Sequence, residues 1–270
     1  KNIHLNTEIK SASFDKVNNY WILTTHNNEV FEAKFLVSAL GQLNSPNFPN
    51  IKGQDDFQGQ CFHSAQWDHS TLLENKKIAV IGNGGSAVQF IPHIGKSAKK
   101  LIIFQRSAHW GMGRIDFEYS DYQKFIFKKI PWIQRIYRLY IWLQLGSNFY
   151  AIVKKTWYSN FVAKTVKAYL GSIVKDPVLL KTLTPDYPLG CKRLLVLENY
   201  YETLIQDHVE VTDSPIKEIL SNSIIDSNNI EREVDVLIYG TGFQTTKFLS
   251  PIEIINHNNI SLDQYWVEGP

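Results

Sequence analysis

The sequence predicts an α/β fold: two units of the doubly wound, parallel-sheet kind, one of them interrupted by a block of helices. Three observations point there. An apolar strand runs into a glycine turn and a helix at Lys77-Ile78-Ala79-Val80-Ile81-Gly82-Asn83-Gly84-Gly85-Ser86-Ala87. A basic, aromatic stretch with helical apolar spacing fills residues 113–185. A similar order of hairpin, strand and glycine turn recurs near both ends, as FLVSALGQ and VLIYGTGFQ, and reads as a weak internal repeat.

Taken in order, residues Tyr20 to His26 and Glu29 to Ala33 flank Asn27-Asn28 and predict a β-hairpin with a two-residue turn. A third strand is expected from Phe35 to Ala39, ending at Gly41. Asn44 to Gly53, rich in Pro and Asn, is a loop. Residues 55–75 join this unit to the Lys77 strand. Ile78 to Ile81 is a short apolar run, as expected of a strand buried in a parallel sheet.

Gly82, Gly84 and Ala87 then fit G-x-G-x-x-A. The first small residue permits a tight turn, the second lets a pyrophosphate approach the backbone, and the third lets the helix pack closely on the strand. Residues 86–95 read as that helix, with Val88, Phe90, Ile91 and Ile94 as its apolar members. Its N-terminus offers N–H groups and partial positive charge to phosphates. Gly82, Asn83, Gly84, Gly85, Ser86 and Ala87 are therefore candidate cofactor-binding residues, and the unit is Rossmann-like. The next strand, Leu101 to Phe104, ends in Gln105-Arg106-Ser107, with no carboxylate for a ribose 2′-hydroxyl. Arg106 suits a 2′-phosphate instead, so NADP is expected rather than NAD.

Residues 113–185 carry twelve Lys and Arg against four Asp and Glu, and 15 aromatic residues. Ile133, Ile136, Tyr137, Tyr140 and Ile141 recur at three and four, which predicts an inserted helical cluster. Its charge suits a membrane surface, an anionic cofactor or a solvated helical face. The chain returns through Leu189-Gly190-Cys191-Lys192-Arg193 and a short helix near 199–206. Strands follow at Ile216 to Leu220, Ser223 to Asp226 and Val234 to Tyr239, the last entering Gly240-Thr241-Gly242-Phe243.

Cys61 and Cys191 are the only cysteines and lie far apart, which argues against a metal knuckle or a dithiol redox centre. A reducing, cytoplasmic setting is the simplest reading. No run reaches the roughly 18 apolar residues of a membrane span. A nucleic-acid partner is not expected.

The joining stretch carries Phe57-x-Gly59-x-x-x-His63-x-x-x-Trp67-Asp68. It resembles the fingerprint F-x-G-x-x-x-H-x-x-x-W-[P/D] of the Baeyer–Villiger monooxygenases. The glycine turn is similar to that family's second glycine motif. Phe104-Gln105-Arg106-Ser107 resembles its run at the NADP phosphate, and Pro188-Leu189-Gly190-Cys191-Lys192-Arg193 its lysine–arginine pair. Gly240-Thr241-Gly242-Phe243 resembles its A-T-G-[FY] run near the flavin, with Gly240 in place of alanine.

The resemblance implies two Rossmann-like domains binding FAD and NADP. Residues 1–72 would be part of the FAD domain with its linker, 73–112 and 186–212 the NADP domain, 113–185 the insertion, and 213–270 the return to the FAD domain. It implies NADPH- and FAD-dependent insertion of an oxygen atom of O₂ beside a ketone carbonyl, through a C4a-peroxyflavin, to give an ester or lactone. Arg193 would be the catalytic cation. Lys192 would share the 2′-phosphate with Arg106 and Ser107, and Gly240, Thr241 and Gly242 would lie at the cofactor. His63 would anchor the linker, and Trp67 would be a packing anchor. The related enzymes that oxygenate the nitrogen or sulfur of amines and thioethers are the alternative, as is a non-catalytic remnant that binds NADP. The family's first glycine motif is expected ahead of Lys1 and the end of its flavin domain beyond Pro270, so the resemblance also implies a fragment of a longer enzyme.

Overall fold

The computed structural model describes residues 3–114, 116–153, 156–246, 249, 251–258 and 260–266. They form two compact units, residues 1–48 with 242–270, and residues 49–241.

In the first unit, β1 (Ile9–Asp15), β2 (Tyr20–Thr25) and β3 (Val30–Ala33) form an antiparallel meander. A short strand, Glu253–Ile255, adds parallel to β1 at the other edge. The hairpin is where the sequence puts it, but its loop has three residues, 26–28. The N–H of Thr25 donates to the carbonyl of Glu29, and Asn28 takes the left-handed conformation at φ 64° that ends such a loop. The expected strand from Phe35 to Ala39 does not form. Its backbone joins no sheet among the described residues, and Phe35 and Val37 are each 85% exposed. An apolar run is a strand only where a neighbour accepts its hydrogen bonds.

The second unit is built on a five-stranded parallel sheet. In chain order its elements begin with β4 (Gln60–His63), β5 (Lys77–Ile81), α1 (Ala87–Gly95), β6 (Lys100–Phe104) and β7 (Gly111–Gly113). Next come the helices α2 (Asp121–Lys129), α3 (Pro131–Val153), α4 (Trp157–Ile173) and α5 (Pro177–Leu183). They are followed by β8 (Leu195–Leu197), α6 (Tyr200–Leu204), β9 (Val209–Thr212), β10 (Ile216–Ile219), β11 (Ser223–Asp226), β12 (Glu231–Glu233) and β13 (Val236–Tyr239). The sheet order is β4-β13-β5-β6-β9.

Strand periodicity divides the core in two. Ile78, Val80, Leu101, Ile103, Val236 and Ile238 face α1, α6 and the ends of α4 and α5. Ala79, Ile81, Ile102, Phe104, Leu237 and Tyr239 face the β10–β12 meander. Both faces are covered, which is why these strands read as unbroken apolar runs. The inserted helices have ordinary stop and start signals: Ser120 caps α2 in a capping box with Gln123, and Asp176 caps α5 ahead of Pro177.

By packing, the chain divides after Phe48 and before Gly242. Residues 49–72 and 213–241, assigned from sequence to the FAD part and its linker, lie in the same unit as the glycine turn. The cause is strand pairing: β4 and β13 join the sheet in parallel with β5, and Phe62, His63 and all four residues of β13 are buried there.

Candidate dinucleotide-binding site

In an open parallel sheet, ligands bind at the carboxyl ends of the strands where the strand order reverses. Here that point is the end of β5, with β6 on one side and β13 on the other. The glycine turn sits on it.

Gly82 has φ +104°, and a Cβ there would fall 2.4 Å from the carbonyl oxygen of Gly240. Only glycine satisfies both conditions. Gly84 is different, because a Cβ there would meet nothing within 4 Å. The backbone is open to an approaching group at Gly84 and closed at Gly82. Among the described residues, the N–H groups of Gly84, Gly85, Ser86 and Ala87 donate to no protein acceptor, so the first turn of α1 keeps the unused donors that an anion would need. Gly240 packs its Cα against the same turn. A Cβ there would lie 3.2 Å from that of Ala87, so the glycine that departs from the family's alanine fits a crowded position. Thr241 follows it at the end of the second unit. Gly242 opens the returning segment of the first, at φ +78° with open space about its Cα, where the N–H of Asn47 donates to its carbonyl.

Asn83 is buried and donates to Oε1 of Gln105 at 2.8 Å and to the carbonyl of Ser107 at 3.0 Å. Gln105 in turn donates to the carbonyl of Thr182. This chain of amides fixes the glycine turn against the end of β6 and against α5. Arg106 is exposed and makes no ion pair among the described residues.

Lys192 comes to the same end of β6 from 85 residues away: its Nζ donates to Oγ of Ser107 at 2.6 Å and lies 4.6 Å from the centre of the Tyr187 ring. Tyr187 is itself held, since its hydroxyl donates to the carbonyl of Ala108 and its own carbonyl accepts from Nε1 of Trp110. Burial, and then the charge of Lys192, hold the His109 imidazole below its ordinary range. A half-buried cation, an exposed one and a set of unused N–H groups, with no carboxylate at the strand end, fit a nucleotide phosphorylated on its ribose. Arg193 is exposed, with no ion pair among the described residues.

Comparison with known proteins agrees with this architecture. A family described as flavin-binding monooxygenase-like matches residues 7–267. The chain belongs to that family. A Baeyer–Villiger monooxygenase of Pseudomonas aeruginosa is 35% identical over 271 residues, covering 98% of this chain and 50% of that protein. A Baeyer–Villiger monooxygenase of Streptomyces coelicolor is 32% identical over 267 residues, covering 99% and 51%. The crystal structure of OTEMO in complex with FAD and NADP superposes with a TM-score of 0.83 at 29% identity, covering 98% of this chain and 58% of that one. The chain spans about half the length of the curated relatives it matches.

Within this family member, the residues of the joining stretch pack tightly. A Cβ on Gly59 would fall 2.5 Å from the Asp235 carbonyl oxygen and 2.5 Å from the Phe57 ring. Phe57 packs on the meander side of the sheet. His63 is buried at the end of β4, where its Nδ1 accepts from the N–H of Ala65. Trp67 lies edge-on to Phe62 and Phe90, at 5.1 and 5.2 Å between ring centres, which ties the stretch to α1. Asp68 accepts from the hydroxyls of Ser70 and Thr71 and from the Ser70 N–H, and these bonds hold its carboxyl below the ordinary range. Cys61 and Cys191 are both free thiols.

The residues around this turn that the sequence leaves without a role are His109, Tyr187 and Gln105, the last of them quoted only within the Phe104–Ser107 run. Nothing in sequence spacing brings Tyr187 to Lys192 and Ala108.

Proposed function

We propose that this chain serves an NADPH- and FAD-dependent monooxygenase that inserts one oxygen atom of O₂ beside a ketone carbonyl. The observation that carries the cofactor choice is the meeting of Lys192 with Ser107 beside the free N–H groups of Gly84 to Ala87. The names of the relatives and the F-x-G-x-x-x-H-x-x-x-W-D match support the reaction class.

When bound, the two cofactors supply the redox chemistry, in which ketone, NADPH, a proton and O₂ give ester or lactone, NADP⁺ and water. The protein positions them and stabilises charge. Gly84, Gly85, Ser86 and Ala87 present N–H groups to the pyrophosphate. Lys192, Arg106 and Ser107 hold the 2′-phosphate. Asn83 and Gln105 keep the glycine turn in register with those cations. By its resemblance to the family motif, Gly240-Thr241-Gly242 is the chain's contribution near the flavin, and the open space at Gly242 suits close approach. Arg193, which pairs with no carboxylate among the described residues, is by its resemblance to the family's lysine–arginine pair the cation offered to negative charge that develops on oxygen during the insertion. His63 and Trp67 hold the joining stretch to the sheet, so that the end of β4 and α1 move together.

The test is turnover of the whole encoded protein with NADPH under ¹⁸O₂, against a panel of cyclic ketones, thioethers and amines. One labelled oxygen in an ester or lactone is expected. Turnover of thioethers or amines with every ketone refused would replace the reading with nitrogen or sulfur oxygenation.

A further inference from the structure

The inserted helices carry a feature that nucleotide chemistry does not use. α3 runs for 23 residues with Arg135 and Arg138 as its only charged side chains. It packs against α2 and α4, yet much of its apolar surface faces outward. Trp132, Ile136, Leu139 and Leu143, spaced at four, three and four, form one exposed stripe; Trp142 flanks it, and Leu145 adds exposed apolar surface farther round the helix. Each of these six is 54–67% exposed. Apolar patches of this extent mark interaction surfaces.

The same arm is strongly basic. Between Asp121 and Ile173 there are nine Lys and Arg and one acid, Asp121 itself. Lys124, Lys128 and Lys129 are exposed on α2, and Arg135 and Arg138 are exposed on α3. We propose that the α2–α4 arm docks on an anionic lipid surface, lying in the headgroup layer.

Three features favour a lipid surface. Trp and Tyr rings beside Lys and Arg are the composition of a headgroup-level contact, with aromatic rings at the boundary and cations toward anionic lipid. No described helix is long and apolar enough to cross a membrane, so the arm lies on the surface. A second copy meeting the same face would set one strongly basic surface against another. Nucleic-acid interfaces are far more polar than this stripe of Trp, Ile and Leu.

The test floats the whole encoded protein with vesicles of pure phosphatidylcholine, or of phosphatidylcholine with about a quarter phosphatidylglycerol. Preferential binding to the anionic vesicles, weakening as salt rises, is expected. The pair Leu139→Asp and Trp142→Asp should weaken binding at least tenfold. Lys128→Glu with Lys129→Glu should weaken it by roughly fivefold or more per position. This second pair is exposed on α2 and remains informative should the first disturb packing. NADPH binding, read by titration, should be unchanged in both. Failure of the wild-type protein to bind vesicles overturns the proposal, as does equal binding to both vesicle kinds or indifference to both pairs of substitutions. Self-association, or capture of an acidic protein, that the aspartate pair abolishes in the absence of vesicle binding would give the face to a protein partner and equally overturn it.

Discussion

Replacing Lys192 by Met keeps the aliphatic stem against Tyr187 and removes the charge. In the structure Nζ stands 2.6 Å from Oγ of Ser107 and 4.6 Å from the Tyr187 ring centre, so the cation is held in place before a nucleotide arrives. A preorganised group loses little freedom on binding. A charge-assisted hydrogen bond from such a group contributes up to about 3 kcal/mol, and at about 1.4 kcal/mol per decade this is roughly two decades of NADPH affinity. Arg106 is exposed and must be ordered by the ligand, so Arg106→Ala should cost about 1.5 kcal/mol, roughly one decade. NADH lacks the 2′-phosphate and should bind both variants nearly as it binds the wild type.

Fluorescence titration of both nucleotides measures this directly. A second readout is independent of the ligand. The charge of Lys192 is one of the two causes that hold His109 below its ordinary range, so Lys192→Met should raise the His109 pKa in an NMR titration. Equal losses for NADPH and NADH, or a His109 titration that does not move, would refute the placement of Lys192.

Gly82→Ala and Gly84→Ala should separate folding from binding. The first places a Cβ 2.4 Å from the Gly240 oxygen at φ +104° and should cost about 3 kcal/mol or more of stability in urea unfolding, while the second has open space and should change that stability by no more than about 1 kcal/mol yet weaken NADPH binding. Arg193→Ala should consume NADPH and release hydrogen peroxide with ester formation down by about 10²–10³; unchanged ester formation, or a defect confined to flavin reduction, would exclude its role. Acid should destabilise the second unit through the Asp226–Arg232–Glu210 cluster. Burial works against both carboxylates, but N–H bonds from Ile230 and Asn228 hold Asp226 low, the Lys100 bond holds Glu210 low, and Arg232 lowers both. Their folded values lie below the unfolded ones, so their stabilisation is complete above the ordinary carboxylate range and lost as the pH falls through about 4 and below. Arg232→Met should flatten that acid limb in a pH series of thermal melts.

Much of the second unit was legible because its signals are local. The strand, turn and helix from Lys77 to Gly95 depend on period-two burial, two glycines with different duties and a small residue at Ala87. Arg106 stands out locally, from its place after a strand, whereas Lys192 was singled out only through the resemblance of 188–193 to a family motif. The first unit was read less well. An apolar run such as Phe35 to Ala39 looks the same whether or not a partner strand is present to accept its hydrogen bonds, and the loop at 26–28 gained a residue because Asn28 could take a left-handed conformation that Asn permits without announcing it.

The sequence by itself determined the elements whose cause lies within a few residues: the glycine turn and its helix, the absence of a carboxylate after β6, and the basic, aromatic character of the insertion. Tertiary structure alone decided what depends on pairing across long separations. It placed β13 between β4 and β5, so that Gly240 closes on Gly82, and it carried Lys192 to Ser107 with Tyr187 beneath it. Hydrogen bonding between strands and packing between loops are satisfied by whichever partner the whole chain brings near, and no local pattern names that partner.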